Sequence, residues 1–373
     1  MIYMLCAGEA SGDLHASELI RALREADSEA RFCFLGGDEM AAAAGCDPLI
    51  HYRDMAYMGF IDVVKHLPQV GRNLKAAARL LSRVKPDALI LIDYPSFNLR
   101  LAEEAQKLNI PVFYYISPKI WAWKEWRIKD IKRLCTEVLS ILPFEPKFYA
   151  ERGYDRCFYV GNPSVEEIDA RLAKSPSPGE FCSKNSLEDR PIIALVPGSR
   201  VSEIRSNLPI MLEAMRPLEA KYQAVIAEAP GVDPAIYPEG IKRVTGQTTD
   251  LMAAAKAALV TSGTASLEAA LARTPQVVCY RHSGSRVFYT VMERVLKIPF
   301  VSLPNLIAGK EVVPELLLHK CTPAAAASAL IDILPGRPAR EAQLQGYDLI
   351  RKRLGTSPAA ATAATRILAH LRR

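Results

Sequence analysis

The sequence lacks several patterns that mark common functional classes. It contains no Cys-x-x-Cys pair, no Asp-x-Asp and no cluster among its 6 histidines. Because the 8 cysteines are scattered, several of them inside apolar runs, they indicate reduced, buried thiols in a cytosolic protein rather than a disulfide frame or a zinc site. No Ser-His-Asp arrangement is apparent, so the sequence predicts neither a metal site nor acyl-enzyme chemistry.

A dinucleotide fingerprint and long apolar runs are also missing. The turn at residues 8–13 lacks the Gly-x-Gly-x-x-Gly spacing, and its Glu9 and Asp13 would repel a close phosphate, which argues against a nicotinamide cofactor. The apolar start at residues 2–7 is too short for a signal peptide, and no stretch has the apolar length of a transmembrane helix. We therefore expect a soluble or peripheral protein without a cofactor.

The charge balance is only mildly basic. A formal net charge of +6 over 373 residues does not by itself indicate nucleic acid, and no nucleic-acid partner is expected. The same balance suits phosphorylated substrates or an anionic membrane surface. The length favours two domains rather than one, and the 50% apolar content suffices for sizeable cores.

Short apolar stretches alternate with helix-forming segments along most of the chain. The clearest predicted strand of the first half is Ala88–Asp93, and the pattern restarts at Ile192–Val196 after a linker-like stretch at residues 175–179. Such alternation is typical of a parallel sheet covered on both faces. The sequence therefore predicts an α/β fold of two doubly wound, Rossmann-like domains, residues 1–170 and 186–344, facing a central cleft. A C-terminal helix is expected at residues 357–373, and it could pack back on the first domain.

The stretch from Val260 to Glu268 is typical of a phosphate-binding turn. A predicted strand ends in Ser262, Gly263 and Thr264, and a helix follows, so backbone N–H groups and the helix dipole would attract a phosphate. Glu268, about one turn into the helix, would face a neutral diol such as a ribose. Alternatively, Ser262 or Thr264 merely caps the helix and Glu268 completes a favourable first turn.

A second turn of this kind, Pro197-Gly198-Ser199-Arg200, follows the predicted strand Ile192–Val196. Its flexible backbone and its guanidinium would grip a diphosphate, although an ordinary turn with a surface Arg fits the same residues. Two such turns in one domain favour a nucleotide. Since ligands bind outside the carboxyl ends of parallel strands, we expect both turns to face the cleft.

Asp93 ends an apolar strand just before Pro95, where a catalytic carboxylate would reach the cleft. Asp is also a common N-cap residue, so a cap for the following helix is the alternative interpretation.

The segment of residues 119–133, here called the tryptophan segment, contains all 3 tryptophans of the chain and six basic against two acidic residues. Tryptophan mixed with Lys and Arg suits a lipid headgroup layer or a phosphorylated amphiphile. The alternative is core tryptophans beside a solvated helix face.

Taken together, these motifs resemble those of the lipid-A-disaccharide synthase family, which are glycosyltransferases with two Rossmann-like domains (GT-B architecture). The matching segments run in order through residues 3–320: Gly8–Asp13, Met58–Phe60, Asp93–Pro95 with Phe97-Asn98, Tyr115–Trp123, Leu142–Glu145, Val160–Pro163, Pro197–Arg200, Ser262–Glu268 and Val301–Gly309. Position 96, often Asp or Gly in relatives, is Ser here, which leaves open whether a second carboxylate acts there.

The resemblance implies a reaction. UDP-2,3-diacylglucosamine would donate its sugar, with inversion, to the 6-hydroxyl of 2,3-diacylglucosamine 1-phosphate, giving the β-1,6-linked lipid A disaccharide phosphate and UDP. The protein would work as a peripheral protein on the cytoplasmic face of a Gram-negative inner membrane. A homodimer is left open.

The resemblance also implies roles for individual residues. Asp93 would be the general base for the acceptor hydroxyl. UDP and the donor sugar would be held by Gly198, Ser199, Arg200, Ser262, Gly263, Thr264, Glu268 and Asn305. The acceptor and its lipid side would meet Glu9, Ser11, Gly12, Met58, Trp121, Trp123, Lys124 and Arg127.

Two other interpretations stay open at this point. A UDP-N-acetylglucosamine 2-epimerase shares the two-domain plan and a nucleotide grip, but it has no reason for the tryptophan segment. A non-catalytic protein that binds a nucleotide sugar or an anionic lipid would keep Arg200 and Glu268 without needing Asp93.

Overall fold

The computed structural model describes residues 1–55, 67–281 and 299–372 of the chain. The chain divides into two compact units. The first unit comprises Met1–Pro163 and Thr356–Arg373, and the second comprises Ser164–Gly355.

The first unit is built on a parallel sheet that has seven strands within the described ranges, in the order β3-β2-β1-β4-β5-β6-β7. The strands are β1 (Ile2–Ala7), β2 (Arg31–Gly36), β3 (Ile50–His51), β4 (Ala88–Ile92), β5 (Val112–Tyr115), β6 (Glu137–Ser140) and β7 (Cys157–Tyr159). The helices are α1 (Ala10–Ala26), α2 (Asp38–Ala44), α3 (Leu67–Val84), α4 (Pro95–Lys107), α5 (Ile128–Leu134), α6 (Glu145–Ala150) and the C-terminal α15 (Ala359–Leu371).

Both faces of this sheet are buried, because successive residues of a strand point to opposite sides. Along β1, Tyr3 and Leu5 pack in one core with side chains of α1, α2 and α15. Met4 and Cys6 pack in the other core, against α3, α4 and α5. The last fifty residues thus contribute a helix to the first unit, where Ala363 and Ile367 are fully buried.

The second unit repeats the plan with six described parallel strands in the order β10-β9-β8-β11-β12-β13. The strands are β8 (Ile192–Val196), β9 (Gln223–Glu228), β10 (Lys242–Thr245), β11 (Ala257–Thr261), β12 (Gln276–Tyr280) and β13 (Glu315–Leu317). The helices are α7 (Pro163–Leu172), α8 (Pro178–Lys184), α9 (Val201–Met215), α10 (Thr248–Ala254), α11 (Thr264–Leu271), α12 (Leu303–Ala308), α13 (Pro323–Asp332) and α14 (Pro338–Leu354).

The stretch at residues 175–179 is not a linker between the units. Ser177 caps α8 in a reciprocal capping box with Glu180, and Phe181 of the same helix is buried beside Ile192 of β8. The division falls earlier, after Pro163, and the second unit extends to Gly355. Residues 164–170 and 345–355 therefore lie in the second unit, outside the domain limits expected from the sequence, since this unit contains α7 from Ser164 onwards and all of α14.

Each sheet reverses its strand order at one point. In the first unit the reversal lies between β1 and β4, and in the second it lies between β8 and β11. Such a switch point is where doubly wound sheets bind ligands, outside the carboxyl ends of the two strands. The four turns singled out in the sequence follow these four strands. None of the helices in the described ranges is both long and apolar enough to cross a bilayer.

Candidate active site

At the switch point of the first unit, the turn after β4 has an unusual backbone. Asp93 and Tyr94 both lie in the left-handed region, with φ of 42° and 46°. The carbonyl of Asp93 accepts hydrogen bonds from Asn98 Nδ2 at 2.8 Å and from the Tyr114 hydroxyl at 2.7 Å. Since left-handed backbone costs energy and concentrates at functional sites, this turn is a strong site candidate.

The side chain of Asp93 does not cap α4. The N-cap residue is Tyr94, and no side chain forms a capping hydrogen bond there. Burial raises the pKa of Asp93, and the nearby Glu9 carboxylate raises it further, against smaller lowering effects of Lys119 and the Tyr94 N–H. The result is a half-buried carboxylate that is more basic than an ordinary aspartate, as a general base requires.

The turn after β1 divides into residues that face solvent and residues that pack. Ser11 is exposed, and its hydroxyl donates to Glu9 Oε1 at 2.7 Å. Gly12 is buried, and a Cβ there would lie at van der Waals distance from Ala7 Cβ (3.4 Å), so this position packs against the end of β1. Met58, also expected on the acceptor side, lies outside the described residues.

The buried Asp13 has a structural role that its position in the sequence conceals. Its carboxylate accepts hydrogen bonds from the N–H groups of Gly37 (2.6 Å), Glu39 (3.0 Å) and Met40 (3.3 Å) at the start of α2. A carboxylate on α1 thereby caps a different helix.

At the switch point of the second unit, the turn Pro197-Gly198-Ser199-Arg200, here called the arginine turn, leads from β8 into α9. Gly198 has a φ of 121°, and a Cβ there would lie 2.6 Å from Glu203 atoms. Glu203, which the sequence analysis missed, accepts a hydrogen bond from the Ser199 N–H at 3.0 Å and pairs with Arg200 Nη1 at 3.1 Å. The Arg200 side chain is 62% exposed and so is accessible to an anion.

The turn Ser262-Gly263-Thr264, here called the glycine turn, leads from β11 into α11. Gly263 is the N-cap residue with a φ of 152°, and no side chain caps the helix. The capping alternative for Ser262 and Thr264 is therefore not what the structure has. The first N–H groups of an α-helix have no acceptor in a preceding turn, and a helix start of this kind is a common anion site.

Glu268 lies one turn into α11, half-buried. Burial raises the pKa of its carboxyl, and the Glu167 carboxylate adds to the effect. No side-chain hydrogen bond to its carboxylate occurs among the described residues, so it is available to accept from a neutral donor.

Comparison with known proteins assigns the family. A family model described as lipid-A-disaccharide synthetase matches residues 3–364. A lipid-A-disaccharide synthase of Myxococcus xanthus (strain DK1622) is 42% identical, over 98% of this chain and 96% of that protein. Another, from Anaeromyxobacter dehalogenans (strain 2CP-C), is 37% identical over 99% and 97%. The chain belongs to the lipid-A-disaccharide synthase family. The predicted class of enzyme, a glycosyltransferase, is confirmed.

Solved structures with much lower identity share the fold. The UDP co-structure of MnaA from S. aureus has a TM-score of 0.67 at 12% identity and covers 100% of this chain and 96% of its own. The calicheamicin glycosyltransferase CalG4 has a TM-score of 0.61 at 15% identity, with coverage of 100% and 98%. The prediction of two doubly wound α/β domains of the GT-B kind is confirmed.

In this member of the lipid-A-disaccharide synthase family, the tryptophans of the tryptophan segment differ in exposure. Trp123 is 56% and Trp126 is 65% exposed, and Lys124 Nζ lies 4.1 Å from the centre of the Trp123 ring. Trp121 instead packs edge-on against Phe144, 5.2 Å between ring centres. Trp121 is thus part of the unit's packing, and the exposed pair are the better candidates for contact with a lipid.

Arg127, the last of the predicted lipid-side residues, connects the tryptophan segment to the start of α4. Its Nη2 donates to Ser96 Oγ at 2.9 Å. The Ser96 hydroxyl oxygen thus accepts a hydrogen bond from this guanidinium.

The side chain of Asn305 is not free to contact the donor substrate directly. It is fully buried, and its Nδ2 donates to the Val313 carbonyl (2.9 Å) and to Glu315 Oε1 (2.8 Å). Its Oδ1 accepts from the N–H groups of Val312 (2.6 Å) and Val313 (2.9 Å). These four bonds use the full capacity of the amide, so Asn305 shapes the loop and leaves no group for a substrate.

Glu145 is a buried carboxylate of a motif segment to which the sequence assigned no role. It is 1% exposed and accepts hydrogen bonds from Trp121 Nε1 at 2.8 Å, Ser117 Oγ at 3.1 Å and Ser140 Oγ. Burial raises its pKa to about 7, although these bonds favour the charged form. The motif residues Ser117, Trp121 and Glu145 are thus brought together as one packing cluster.

This cluster predicts a dependence of stability on pH. Because the folded-state pKa of about 7 exceeds the usual 4.5, the folded protein binds this proton more tightly than the unfolded chain does. The bound proton adds roughly 3 kcal/mol to the free energy of unfolding at low pH. This contribution is lost as the pH rises towards 7. We expect the Tm of wild type to fall between about pH 5 and about pH 7.5 relative to that of Glu145→Gln, whose amide stays neutral. Thermal melts of both proteins across this range check it, and parallel profiles would contradict it.

Proposed function

We propose that the protein transfers 2,3-diacylglucosamine from UDP to the 6-hydroxyl of 2,3-diacylglucosamine 1-phosphate, with inversion at the anomeric carbon. The products are the β-1,6-linked lipid A disaccharide 1-phosphate and UDP. Family membership supports the formation of a lipid A disaccharide. The observation that carries the mechanism is Asp93, a carboxylate of raised pKa in a left-handed turn at a sheet switch point.

The first unit would supply the base. A sugar hydroxyl is too weak an acid to attack well unless its proton is accepted during the displacement. In the proposed step, the 6-oxygen of the acceptor forms a bond to the donor's anomeric carbon while Asp93 takes the hydroxyl proton. The bond from that carbon to the diphosphate oxygen breaks, and its electron pair leaves with UDP.

The second unit would hold the leaving group. The arginine turn and the glycine turn flank the switch between β8 and β11, so a diphosphate could bind both. Arg200 and the backbone N–H groups of the glycine turn would neutralise the charge that develops on the diphosphate. Glu268, beyond them on α11, would accept hydrogen bonds from the ribose hydroxyls.

Because both proposed substrates are lipids, we propose that the protein acts at a membrane surface, the cytoplasmic face of the inner membrane. The exposed pair Trp123 and Trp126 beside Lys124 supports this, because indole rings and cations favour the headgroup layer. The protein would bind there peripherally.

Replacing Trp123, Lys124 and Trp126 together with Ser should release the protein from anionic vesicles. High salt should release wild type in part, since exposed charges are screened. Co-sedimentation with vesicles of anionic lipid, at low and high salt, measures this. Trp121→Phe is the matched control, because it keeps an aromatic ring beside Phe144 and leaves the exposed pair in place, and it should co-sediment as wild type does. If the triple variant also does so, this surface does not bind lipid.

The reaction is tested by incubating the purified protein with UDP-diacylglucosamine and diacylglucosamine 1-phosphate and following UDP and disaccharide by mass spectrometry. We expect both products, and only when both substrates are present. A parallel incubation with UDP-N-acetylglucosamine tests the epimerase interpretation, and formation of the 2-epimer without any disaccharide would replace the proposal. If the protein binds the UDP-sugar but forms no product, the interpretation as a non-catalytic binding protein would be correct instead.

A further inference from the structure

Glu315 collects four hydrogen bonds from one short segment of the second unit. It begins β13 at the sheet edge, half-buried. Its Oε2 accepts from the Val301 N–H at 2.9 Å. Its Oε1 accepts from the Ser302 N–H at 2.9 Å, the Ser302 hydroxyl at 2.6 Å and Asn305 Nδ2 at 2.8 Å. Hydrogen bonds to a charged acceptor are among the stronger ones in proteins, so this segment is held firmly.

The segment that Glu315 holds is the entry to α12. Ser302 is the N-cap residue of that helix, yet its hydroxyl makes no capping bond and donates to Glu315 instead. The carboxylate therefore does not cap the first turn of α12 but fixes the N–H groups of Val301 and Ser302, just before and at the N-cap position, from outside the helix.

The same segment touches the glycine turn. The Ser262 hydroxyl donates to the Val301 carbonyl at 3.4 Å, and α12 packs beside α11. Val301 is therefore contacted on both sides: Glu315 binds its N–H firmly, and the Ser262 hydroxyl makes a long hydrogen bond to its carbonyl. A chain of contacts runs from Glu315 through Val301 to the turn that follows β11.

We infer that Glu315 is a positioning residue for the nucleotide diphosphate, acting through Val301 and Ser262 on the glycine turn. The inference rests on the proposed function, in which that turn binds the diphosphate. Glu315 itself does not touch the substrate, since its negative charge would repel a diphosphate and its oxygens are occupied by donors of the chain. Asn305 supplies one of the four hydrogen bonds that fix the carboxylate.

The substitution Glu315→Gln tests this with little change in size. An amide keeps one acceptor oxygen, but its NH₂ group would face N–H donors where the second oxygen now accepts. We expect the affinity for UDP to fall about tenfold and the KM for the donor to rise similarly, while the KM for the acceptor stays within about twofold. Glu311→Gln, an exposed carboxylate of the same loop, is the matched control and should behave as wild type.

Calorimetric titration with UDP, thermal melts and separate KM values for the two substrates distinguish the outcomes. A residue that only stabilises the fold would lower the Tm and the active fraction and leave UDP affinity and donor KM unchanged, and that result would overturn the inference. If Glu315→Gln does not fold, Ser302→Ala removes only one donor and should weaken UDP binding a few-fold; unchanged binding there would overturn it too.

A double-mutant cycle with Ser262→Ala tests the route. The effect of Glu315→Gln on UDP affinity should shrink in the Ser262→Ala background, whereas additive effects would contradict a route through Val301. If the wild-type protein does not bind UDP, the proposed function itself is wrong. That result is distinct from a failure of the Glu315 inference, in which wild type binds UDP and Glu315→Gln binds it equally well.

Discussion

Replacing Asp93 with Asn should lower turnover by on the order of 10²–10⁴-fold while the fold and UDP binding stay intact. Asn has the shape of Asp but does not accept the proton of the acceptor hydroxyl. It also tolerates the left-handed backbone at position 93, where φ is 42°, as well as Asp does, whereas Ala would add strain. Asn is therefore the decisive substitution.

Steady-state turnover, a thermal melt and UDP titration of this variant make the test. Asp155→Asn, which changes an exposed aspartate of the same unit, is the matched control and should keep wild-type turnover. Burial and Glu9 raise the pKa of Asp93, so wild-type activity should rise with pH as this carboxyl loses its proton. The residual activity of the Asn variant should lack this rising limb of the pH profile. An Asn variant within a few-fold of wild-type turnover would mean that the base lies elsewhere.

Arg200→Ala should weaken UDP binding by roughly 1.5–3 kcal/mol, that is by about one to two orders of magnitude in Kd, because it removes a charge-assisted contact to the diphosphate. The loss should be aggravated by Glu203, whose carboxylate would remain beside the Ser199 N–H without its cation. Turnover should fall as well, since the same guanidinium would stabilise the leaving group.

Titration with UDP measures this effect. The control is Arg205→Ala, which removes an exposed arginine of α9, the helix that follows the arginine turn, and should leave UDP affinity unchanged. Arg200→Lys should recover part of the affinity, because it keeps the charge and loses the planar fork. UDP affinity equal to wild type in Arg200→Ala would remove the arginine turn from the nucleotide site.

The fold was predictable because its pattern is local. The apolar runs at residues 88–92 and 192–196 are strands β4 and β8 in the structure. A buried parallel strand needs apolar side chains on both faces, and that requirement is visible in any short window of sequence. The turns after β1, β4, β8 and β11 could be found for the same reason, since each directly follows such a run.

What could not be predicted depends on partners far apart in the chain. Asp13 was seen as part of a turn, but it caps α2, 24 residues further on. Glu145 acquires its raised pKa from burial and meets Ser117 and Trp121 only after folding. Asn305 appeared to be a donor contact until the structure placed Val312, Val313 and Glu315 around its amide.

One error was avoidable from the sequence. The Pro and Ser residues at 175–179 suggested a linker, yet Ser177 stands three residues before Glu180 and Pro178 occupies the first helical position. Ser-x-x-Glu with Pro at that position is the signature of a helix start, and this spacing is more specific than a composition rich in Pro and Ser.

The most direct test of the proposed activity is the structure of the product. NMR of the disaccharide formed by the purified protein gives both the anomeric configuration of the new linkage and the oxygen to which it is attached. Inversion by a base such as Asp93 predicts a β linkage to the 6-oxygen, with one UDP released for each disaccharide. An α linkage, attachment at another oxygen, or UDP release without disaccharide would contradict it.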